Sequence, residues 1–200
     1  MAGNSPLVGV LALQGDVREH EDVLAELGIA HRQVRNAEQL AEVDALIIPG
    51  GESSVIDKLT RIFGVRDALV AAIQRGLPVL GTCAGLILLA DRITGGLDDQ
   101  QTFGGLDVTV ERNAFGSQVD SFETTIDMPA IGGAPIRSSF IRAPIVRDAG
   151  STDVIATLPT GEIVGVRHGN IVGISFHPEV SNELRVHDWW VRTVVVPSLG

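Results

Sequence analysis

Residues 77–90 read LPVLGTCAGLILLA, and this stretch decides the fold class. The apolar residues 77–80 predict a short buried strand, and the apolar residues 86–90 predict a helix. Between them lies Gly81-Thr82-Cys83-Ala84-Gly85, the cysteine form of the G-x-S-x-G nucleophile elbow. Its glycines allow a sharp turn that presents Cys83 at the carboxyl end of the strand. Because N–H groups at a helix start favour a thiolate, Cys83 is the candidate nucleophile.

The alternative for Cys83 is an inert buried side chain, since free cysteine is commonly buried in protein cores. It is the single cysteine among 200 residues, so the chain can form no internal disulfide. That cysteine usage indicates a reducing compartment, and we expect a cytoplasmic protein. The first residues show no basic segment followed by an apolar stretch, so we expect no signal peptide.

The residues before the elbow alternate between predicted strands and predicted helices. The predicted strands are residues 7–13, 29–34 and 45–48. Asp16 and Glu19 have the spacing of a capping box and predict the start of the first helix. Residues 53–75 predict a helix with a break near Gly64. Such alternation predicts a parallel sheet that is covered by helices on both faces.

The second half of the chain predicts short strands in loops rich in Gly, Pro and Asp. These strands are residues 106–112, 119–125, 139–141, 154–158, 163–167 and 171–174. His168-Gly169-Asn170 predicts a hairpin turn, and residues 182–195 predict a final helix. We therefore expect an α/β fold: a flavodoxin-like three-layer sandwich with a largely parallel central sheet and additional antiparallel strands. Residues 1–200 are expected to form a single domain.

Composition excludes several classes of partner. The chain has 15 Lys and Arg residues and 25 Asp and Glu residues, which gives a formal net charge of -10. Because such a surface repels phosphate backbones and no basic run interrupts it, we expect no nucleic-acid partner. No apolar run approaches the ~18 residues of a membrane span, so we expect no membrane partner.

A thiolate nucleophile needs a partner that handles protons, and His177 is the candidate among the five histidines. It follows the predicted strand 171–174 and begins the sequence His177-Pro178-Glu179. Pro178 favours extended backbone at His177, and extended spacing places the side chains of His177 and Glu179 on the same side. Glu179 would then orient the imidazole and stabilise its protonated form.

The other histidines have structural interpretations. His20 lies on the apolar face of the first predicted helix, as a partly buried histidine. His187 is expected to pack in the last helix or at an interface, and His31 and His168 to lie at the surface or in turns. Because no two histidines show metal-ligand spacing, we expect no metal site, and nothing in the sequence indicates a cofactor.

Pro49-Gly50-Gly51-Glu52-Ser53 also follows a predicted strand, at the sheet edge where ligands bind in open parallel sheets. Because Gly51 has no side chain, its backbone N–H can approach a developing oxyanion. The alternative is a plain turn with Ser53 or Ser54 as the helix cap. A phosphate loop is a weaker third alternative, because G-x-x-x-x-G-K-[ST] is absent.

These motifs resemble the class I, triad-type glutamine amidotransferases, and within them the glutaminases of pyridoxal 5'-phosphate synthases, over nearly the whole chain. The G-x-C-x-G and H-P-E elements are shared across the class, whereas L-Q-G, R-N-A-F-G and F-I-R-A-P are narrower. The matching stretches are residues 11–15, 49–54, 81–85, 112–118, 121–123, 140–144 and 176–179.

The resemblance implies a role for each site residue. Cys83, His177 and Glu179 would form the triad, and the backbone N–H groups of Gly51 and Ala84 would form the oxyanion hole. The implied glutamine contacts are Gly51, Glu52, Ser53, Arg112, Ile141 and Arg142. A guanidinium suits the substrate's α-carboxylate, but the sequence does not distinguish Arg112 from Arg142, and a surface salt bridge is the alternative for each.

The resemblance also implies the reaction and the partner. L-glutamine would be hydrolysed to glutamate and ammonia through a glutamyl thioester. The ammonia would pass to a synthase subunit that makes pyridoxal 5'-phosphate, in a hetero-oligomer. Three alternatives stay open: the glutaminase of another triad amidotransferase, a cysteine hydrolase without a partner, and a non-catalytic assembly subunit.

Overall fold

The computed structural model describes residues 5–112, 114 and 121–200. The strands are β1 (Val8–Leu11), β2 (His31–Val34), β3 (Ala45–Ile48), β4 (Val79–Thr82), β5 (Ala90–Thr94), β6 (Leu106–Glu111), β7 (Ser121–Ile126), β8 (Ile136–Ile141), β9 (Ile145–Asp148), β10 (Asp153–Thr157), β11 (Ile163–His168) and β12 (Ile171–Ile174). The helices are α1 (Val17–Glu26), α2 (Ala37–Leu40), α3 (Ser53–Ile62), α4 (Arg66–Gln74), α5 (Ala84–Leu89), α6 (Leu184–Trp190) and α7 (Val196–Ser198), with a π-helical turn at Val191–Val195.

The central sheet is parallel through its first five strands. In the described part of the chain its order is β2-β1-β3-β4-β12-β11-β9-β6-β5, with β10 paired to β11. The strand pairs from β2 through β12 are parallel, and β11 pairs antiparallel with β12, β9 and β10. The predicted α/β fold with a largely parallel sheet and added antiparallel strands is therefore confirmed.

Alternation along the strands divides the core between the two faces of the sheet. Leu46 and Ile48 of β3 pack with residues of α2–α5, whereas Ala45 and Ile47 pack with residues of α1, α6 and the β7–β8 pair. Both sets are buried because successive strand side chains point to opposite faces. The result is the expected three-layer sandwich, with α2–α5 on one face and α1, α6 and a small antiparallel sheet on the other.

Element positions differ from the predictions where pairing partners decide them. The strand predicted at residues 77–80 runs from Val79 to Thr82, because Pro78 cannot donate a ladder hydrogen bond and Gly81 and Thr82 pair with β12. The sequence reasoning missed α2, β5 and β9. The hairpin turn at Gly169 is confirmed, since it joins the antiparallel pair β11–β12. Part of the strand predicted at 119–125 lies outside the described residues.

The helices contain no segment of the length and hydropathy needed to cross a bilayer in the part of the chain that is described.

Candidate functional site

Cys83 lies in a strained turn between β4 and α5. Its φ of 47° and ψ of -97° are outside the usual regions for a residue with a side chain. The flanking glycines permit close packing: a Cβ on Gly81 would lie 2.6 Å from the Gly85 carbonyl carbon, and one on Gly85 would lie 2.2 Å from the Ile48 oxygen. The Cys83 N–H donates to the Ile174 oxygen (2.8 Å), which ties the turn to β12. The elbow geometry expected from the sequence is present.

His177 follows β12 and points toward the Cys83 turn. Its backbone N–H donates to the Ser139 oxygen (3.0 Å), which fixes the backbone at this point. The Nδ1 atom lies 2.7 Å from Oε1 of Glu179, two residues further on. Both side chains are buried, so the hydrogen bond is shielded from water. His177 is bridged to Ser139, and the chain then turns at residues 178–180, so a turn brings the imidazole and the carboxylate together where extended backbone was expected.

The protonation of His177 is set by its neighbours. Burial lowers its pKa, but hydrogen bonds with Asp16, Cys83 and Glu179 outweigh burial and raise the pKa to about 12. Burial raises the pKa of Glu179 above its usual range, and the hydrogen bond from His177 acts in the opposite direction. A buried carboxylate beside a protonated imidazole is the arrangement that favours a thiolate at a nearby thiol.

The side chain of Asp16 does not cap helix α1 as the sequence predicted. Asp16 is the N-cap residue of α1, yet its side chain makes no capping hydrogen bond, so the capping-box interpretation is wrong. Its Oδ2 instead lies 3.3 Å from His177 Nδ1. The Asp16 N–H donates to the Gly50 oxygen (3.1 Å). This hydrogen bond holds the loop after β1 against the loop after β3 and so places the Asp16 side chain near His177.

The loop after β3 lies against the loop after β1. The Glu52 N–H donates to Oε1 of Gln14 (2.9 Å), and the Gly50 oxygen is held by the Asp16 N–H. Gly51 has a φ of +150°, and a Cβ added to it would lie only 2.6 Å from Gln14 Oε1. This backbone conformation favours glycine, and the approach of the Gly51 N–H to a developing oxyanion stays a prediction.

A cavity of ≈ 290 Å³ opens in front of these loops. Its lining includes Cys83 and His177, and it also includes Gly51, Glu52, Ser53, Arg112, Ile141 and Arg142. The structure therefore brings the predicted glutamine contacts to the same cavity as the nucleophile and base candidates. Ala84 and Glu179 are not in the lining of the cavity. Ala84 directly follows Cys83 in the chain, and Glu179 is hydrogen-bonded to His177.

The two candidate arginines differ in their partners. Arg112 donates to Glu52 Oε1 (2.7 Å) and to Gln100 Oε1 (2.9 Å), and Gln100 in turn donates to Ser53 Oγ (3.0 Å). Arg142 is exposed at a φ of 43°, and none of the residues that the structure describes pairs with its guanidinium. A substrate carboxylate would thus find Arg142 unpaired and Arg112 already paired with a carboxylate.

Sequence reasoning missed four residues at the cavity: Gln14, Asp16 and Ile87 in its lining, and Gln100 beside it. Gln14 and Asp16 follow β1 at the same sheet edge as the elbow, and that position was the available indication of a role. Gln100 lies in an irregular segment, where no periodicity marks it. Within the R-N-A-F-G stretch, residues 113 and 115–118 lie outside the described residues.

One acidic and histidine cluster has ligand atoms close enough for a metal ion. Among the described residues, these are Asp16, His177 and Glu179, with ligand atoms within 4.8 Å of one another. The same atoms form the hydrogen bonds of His177, which account for their proximity. The absence of a metal site stays a prediction.

Comparison with known proteins identifies the family. The model of the SNO glutamine amidotransferase family matches residues 10–196. The chain belongs to this family. A protein of Clavibacter sepedonicus named "Pyridoxal 5'-phosphate synthase subunit PdxT" is 55% identical, over 92% of this chain and 89% of its own. A protein of the same name from Leifsonia xyli subsp. xyli is 54% identical, over 97% of this chain and 98% of its own.

A solved structure described as a glutamine amidotransferase has the same fold. It superposes with a TM-score of 0.86 at 44% identity, covering 92% of this chain and 97% of that one. The family resemblance and the enzyme class inferred from the motifs are therefore confirmed: the SNO-family chain is a glutamine amidotransferase enzyme by family. The roles proposed for individual residues rest on the geometry of the site.

Proposed function

We propose that this chain is the glutaminase subunit of a pyridoxal 5'-phosphate synthase. It hydrolyses L-glutamine and delivers ammonia to a synthase subunit within a hetero-oligomer in the cytoplasm, with residues 1–200 acting as one glutaminase domain. The observation that carries the proposal is the buried 2.7 Å hydrogen bond from His177 to Glu179, because His177 lines the same cavity as Cys83. The names of the relatives support the choice of synthase.

The first half of the reaction forms a thioester. The Cys83 thiolate attacks the side-chain amide carbon of glutamine, and the carbonyl oxygen becomes an oxyanion. The N–H groups of Gly51 and Ala84 stabilise that oxyanion. The carbon–nitrogen bond then breaks, and protonated His177 donates the proton that lets ammonia leave. A pKa raised to about 12 keeps His177 protonated and ready for this step at neutral pH.

The second half regenerates the enzyme. Neutral His177 removes a proton from water, and the resulting hydroxide attacks the thioester carbon. The carbon–sulfur bond breaks, glutamate is released and Cys83 is again a thiolate beside protonated His177. Glu179 stabilises the imidazolium in both halves because its carboxylate holds Nδ1–H at 2.7 Å.

Glutamine recognition follows from the pairing of the two arginines. Because Arg142 is unpaired among the described residues, it is the proposed partner of the α-carboxylate. The Glu52 carboxylate, held by Arg112 at 2.7 Å, would then accept the α-ammonium group. Ser53 and Ile141 complete the cavity wall, and the Ile141 oxygen lies 4.0 Å from the Cys83 sulfur.

Replacing Arg142 with glutamine should raise KM for glutamine by roughly 10–100-fold, the factor that one charge-assisted hydrogen bond represents, and change kcat by less than about 5-fold. Steady-state kinetics with the synthase partner present measure both constants. Arg137→Gln is the matched control, since Arg137 lies in β8, the strand that precedes Arg142, and pairs at the surface with Glu123 (3.2 Å). A large fall in kcat with unchanged KM would contradict carboxylate binding by Arg142.

The oxyanion hole depends on the Gly50–Gly51 peptide. We propose that this peptide rotates to aim the Gly51 N–H at the oxyanion and that the synthase partner drives the rotation. Rotation would release the Gly50 oxygen from the Asp16 N–H that now holds it at 3.1 Å. The loss of that hydrogen bond gives a reason why the isolated chain would be a weak glutaminase.

Gly50→Ala should lower kcat by roughly 100-fold or more, because small displacements of reacting groups have effects of that size. The new Cβ would lie 2.4 Å from Cε1 of His177 and 2.6 Å from Oδ2 of Asp16, so His177 must move. Glutamate release and the melting temperature are measured together. Gly64→Ala is the control, since Gly64 has a φ of +67° but no heavy atom within 4 Å of the new Cβ. Full activity of Gly50→Ala would show that His177 need not stay in this position.

Glutamate release from glutamine, by the chain alone and with a pyridoxal 5'-phosphate synthase subunit, tests the proposed function. Strong activation by the synthase subunit, absent in Cys83→Ala, is the expected result. Equal activity with and without the subunit would instead indicate a hydrolase that needs no partner. No release with a subunit that demonstrably binds would indicate a different synthase or an assembly role.

A further inference from the structure

Three polar side chains lie directly behind the proposed triad and have no role in the reaction described above. They are His20 of α1, Thr82 at the end of β4 and His187 of α6, and all three are fully buried. His20 Nε2 lies 3.0 Å from Thr82 Oγ1 and 3.7 Å from Glu179 Oε1. Its other ring nitrogen, Nδ1, lies 2.9 Å from His187 Nε2. His20 therefore connects the carboxylate behind His177 to the residue that precedes Cys83.

The charge state of His20 follows from its surroundings. Burial, the neighbouring His187 and the charge on His177 lower its pKa well below the usual value, in that order. Burial also lowers the pKa of His187, to about 4. The titratable groups that face His20 are therefore His187, His177 and Glu179, and His20 is neutral at neutral pH. A neutral imidazole has one N–H, so its tautomer decides what it can donate.

The contacts select one tautomer. If Nδ1 of His20 carried the proton, the bare Nε2 lone pair would face the Glu179 carboxylate oxygen at 3.7 Å. With the proton on Nε2, the N–H faces Thr82 Oγ1 and that carboxylate, and bare Nδ1 accepts from His187 Nε2–H. This choice leaves His187 Nδ1 without a proton, in agreement with its lack of a hydrogen-bond partner among the described residues.

Glu179 needs such a neighbour. Its side chain is fully buried, and among the described residues no donor reaches its Oε2 atom. An ionised carboxylate in the protein interior is unfavourable unless hydrogen-bond donors or dipoles face it. His177 supplies the hydrogen bond to Oε1, and an N–H dipole from His20 on the same oxygen would add to it without introducing a second charge.

We propose that His20 is a positioning residue whose Nε2–H tautomer, fixed by His187, holds Glu179 ionised and oriented and braces Thr82 next to Cys83. The role of Glu179 in this inference rests on the proposed function. The tautomer and the contacts do not, because they follow from the buried cluster alone. His20 acts through Glu179 and Thr82 and lies outside the cavity lining, so it should not affect glutamine binding.

Nitrogen NMR of the full chain labelled with ¹⁵N-histidine tests the tautomer without any activity measurement. The His20 resonances are assigned from the spectrum of His20→Gln. At neutral pH we expect His20 with protonated Nε2 and bare Nδ1, and His187 with the same tautomer. A His20 ring protonated on Nδ1, or on both nitrogens, would overturn the proposal.

A pair of substitutions tests the effect on catalysis, in complex with the synthase partner. In His20→Gln the amide nitrogen reaches the position of Nε2, whereas in His20→Asn the shorter side chain reaches only that of Nδ1. We expect kcat to fall by roughly 10–100-fold in His20→Asn and by less than about 3-fold in His20→Gln, since the loss of the Nε2–H in His20→Asn leaves buried Thr82 and Glu179 without the donor that faced them. KM should change by less than about 3-fold in both.

Two outcomes would contradict this: equal losses of kcat in the two variants, or a loss that appears in KM. A general packing defect would give equal losses of kcat, and a distorted binding cavity would give a change in KM. The parent complex, assayed beside Cys83→Ala, separately establishes whether the chain is a cysteine-dependent glutaminase. If it is not, the proposed function fails, and the NMR tautomer still decides whether the cluster is built as described.

Discussion

Replacing Cys83 with alanine should reduce glutamate release by at least about 10⁴-fold when the synthase partner is present, because no bond to the amide carbon can form without the sulfur. The neighbouring groups would retain their positions, since the turn is held by backbone hydrogen bonds and by the close packing of Gly81 and Gly85. The binding cavity and the oxyanion donors would still be present, and any residual rate would come from them.

The measurement combines glutamate release with labelling by a glutamine-mimicking electrophile. The parent should lose activity as one equivalent of label is incorporated, whereas Cys83→Ala should incorporate none. Ser175→Ala is a suitable control, since Ser175 is buried beside the turn and its hydroxyl has no partner among the described residues. Its removal should leave the rate nearly unchanged. If Cys83→Ala retained more than about 1% of the parent rate, covalent catalysis by Cys83 would be wrong.

The local geometry of the elbow could be predicted because its constraints lie in adjacent residues. Gly81 and Gly85 each approach backbone atoms that a Cβ would strike, so the glycine spacing itself encodes the turn. The pairing of His177 with Glu179 is local in the same sense, since the two residues are only two positions apart, although a turn joins them and not the extended backbone that was expected. The parallel sheet was also predictable, because β1 and β3 are apolar runs buried on both faces.

Contacts between distant segments that no motif marks could not be predicted. Asp16 has the spacing of a capping box, yet the sheet edge places it 3.3 Å from His177, and that contact with a distant residue outweighs the local pattern. His20 was expected to be partly buried on an apolar helix face, and it is fully buried. Its partner His187 comes from the far end of the chain, so only the packing of α1 against α6 reveals the pair. Strand β5 was missed because it continues from α5 without a break and exposes Asp91 and Arg92.

Glu179→Gln should lower kcat by roughly 10³–10⁴-fold, the size of effect seen when the acidic member of such a triad is neutralised. The amide is close in shape to the carboxylate, so the fold is expected to persist. The change removes the negative charge that stabilises protonated His177 in a buried site. Because an acidic partner raises a histidine's pKa, its loss should lower the pKa of His177 from about 12.

The sign of that change gives a second observable for Glu179→Gln. Protonated His177 must deliver a proton to the leaving ammonia, so activity is lost as pH rises through its pKa. In the parent this loss lies above the range where the complex can be assayed, and in the variant it should begin at lower pH, although Asp16 and Cys83 still raise the pKa of His177. The pH dependence of kcat between pH 6 and about 10 measures it. Glu183→Gln is the matched control, since Glu183 is a nearby carboxylate that pairs with Arg185. A variant whose kcat fell with no change in its alkaline limb would show that Glu179 orients the imidazole without setting its charge.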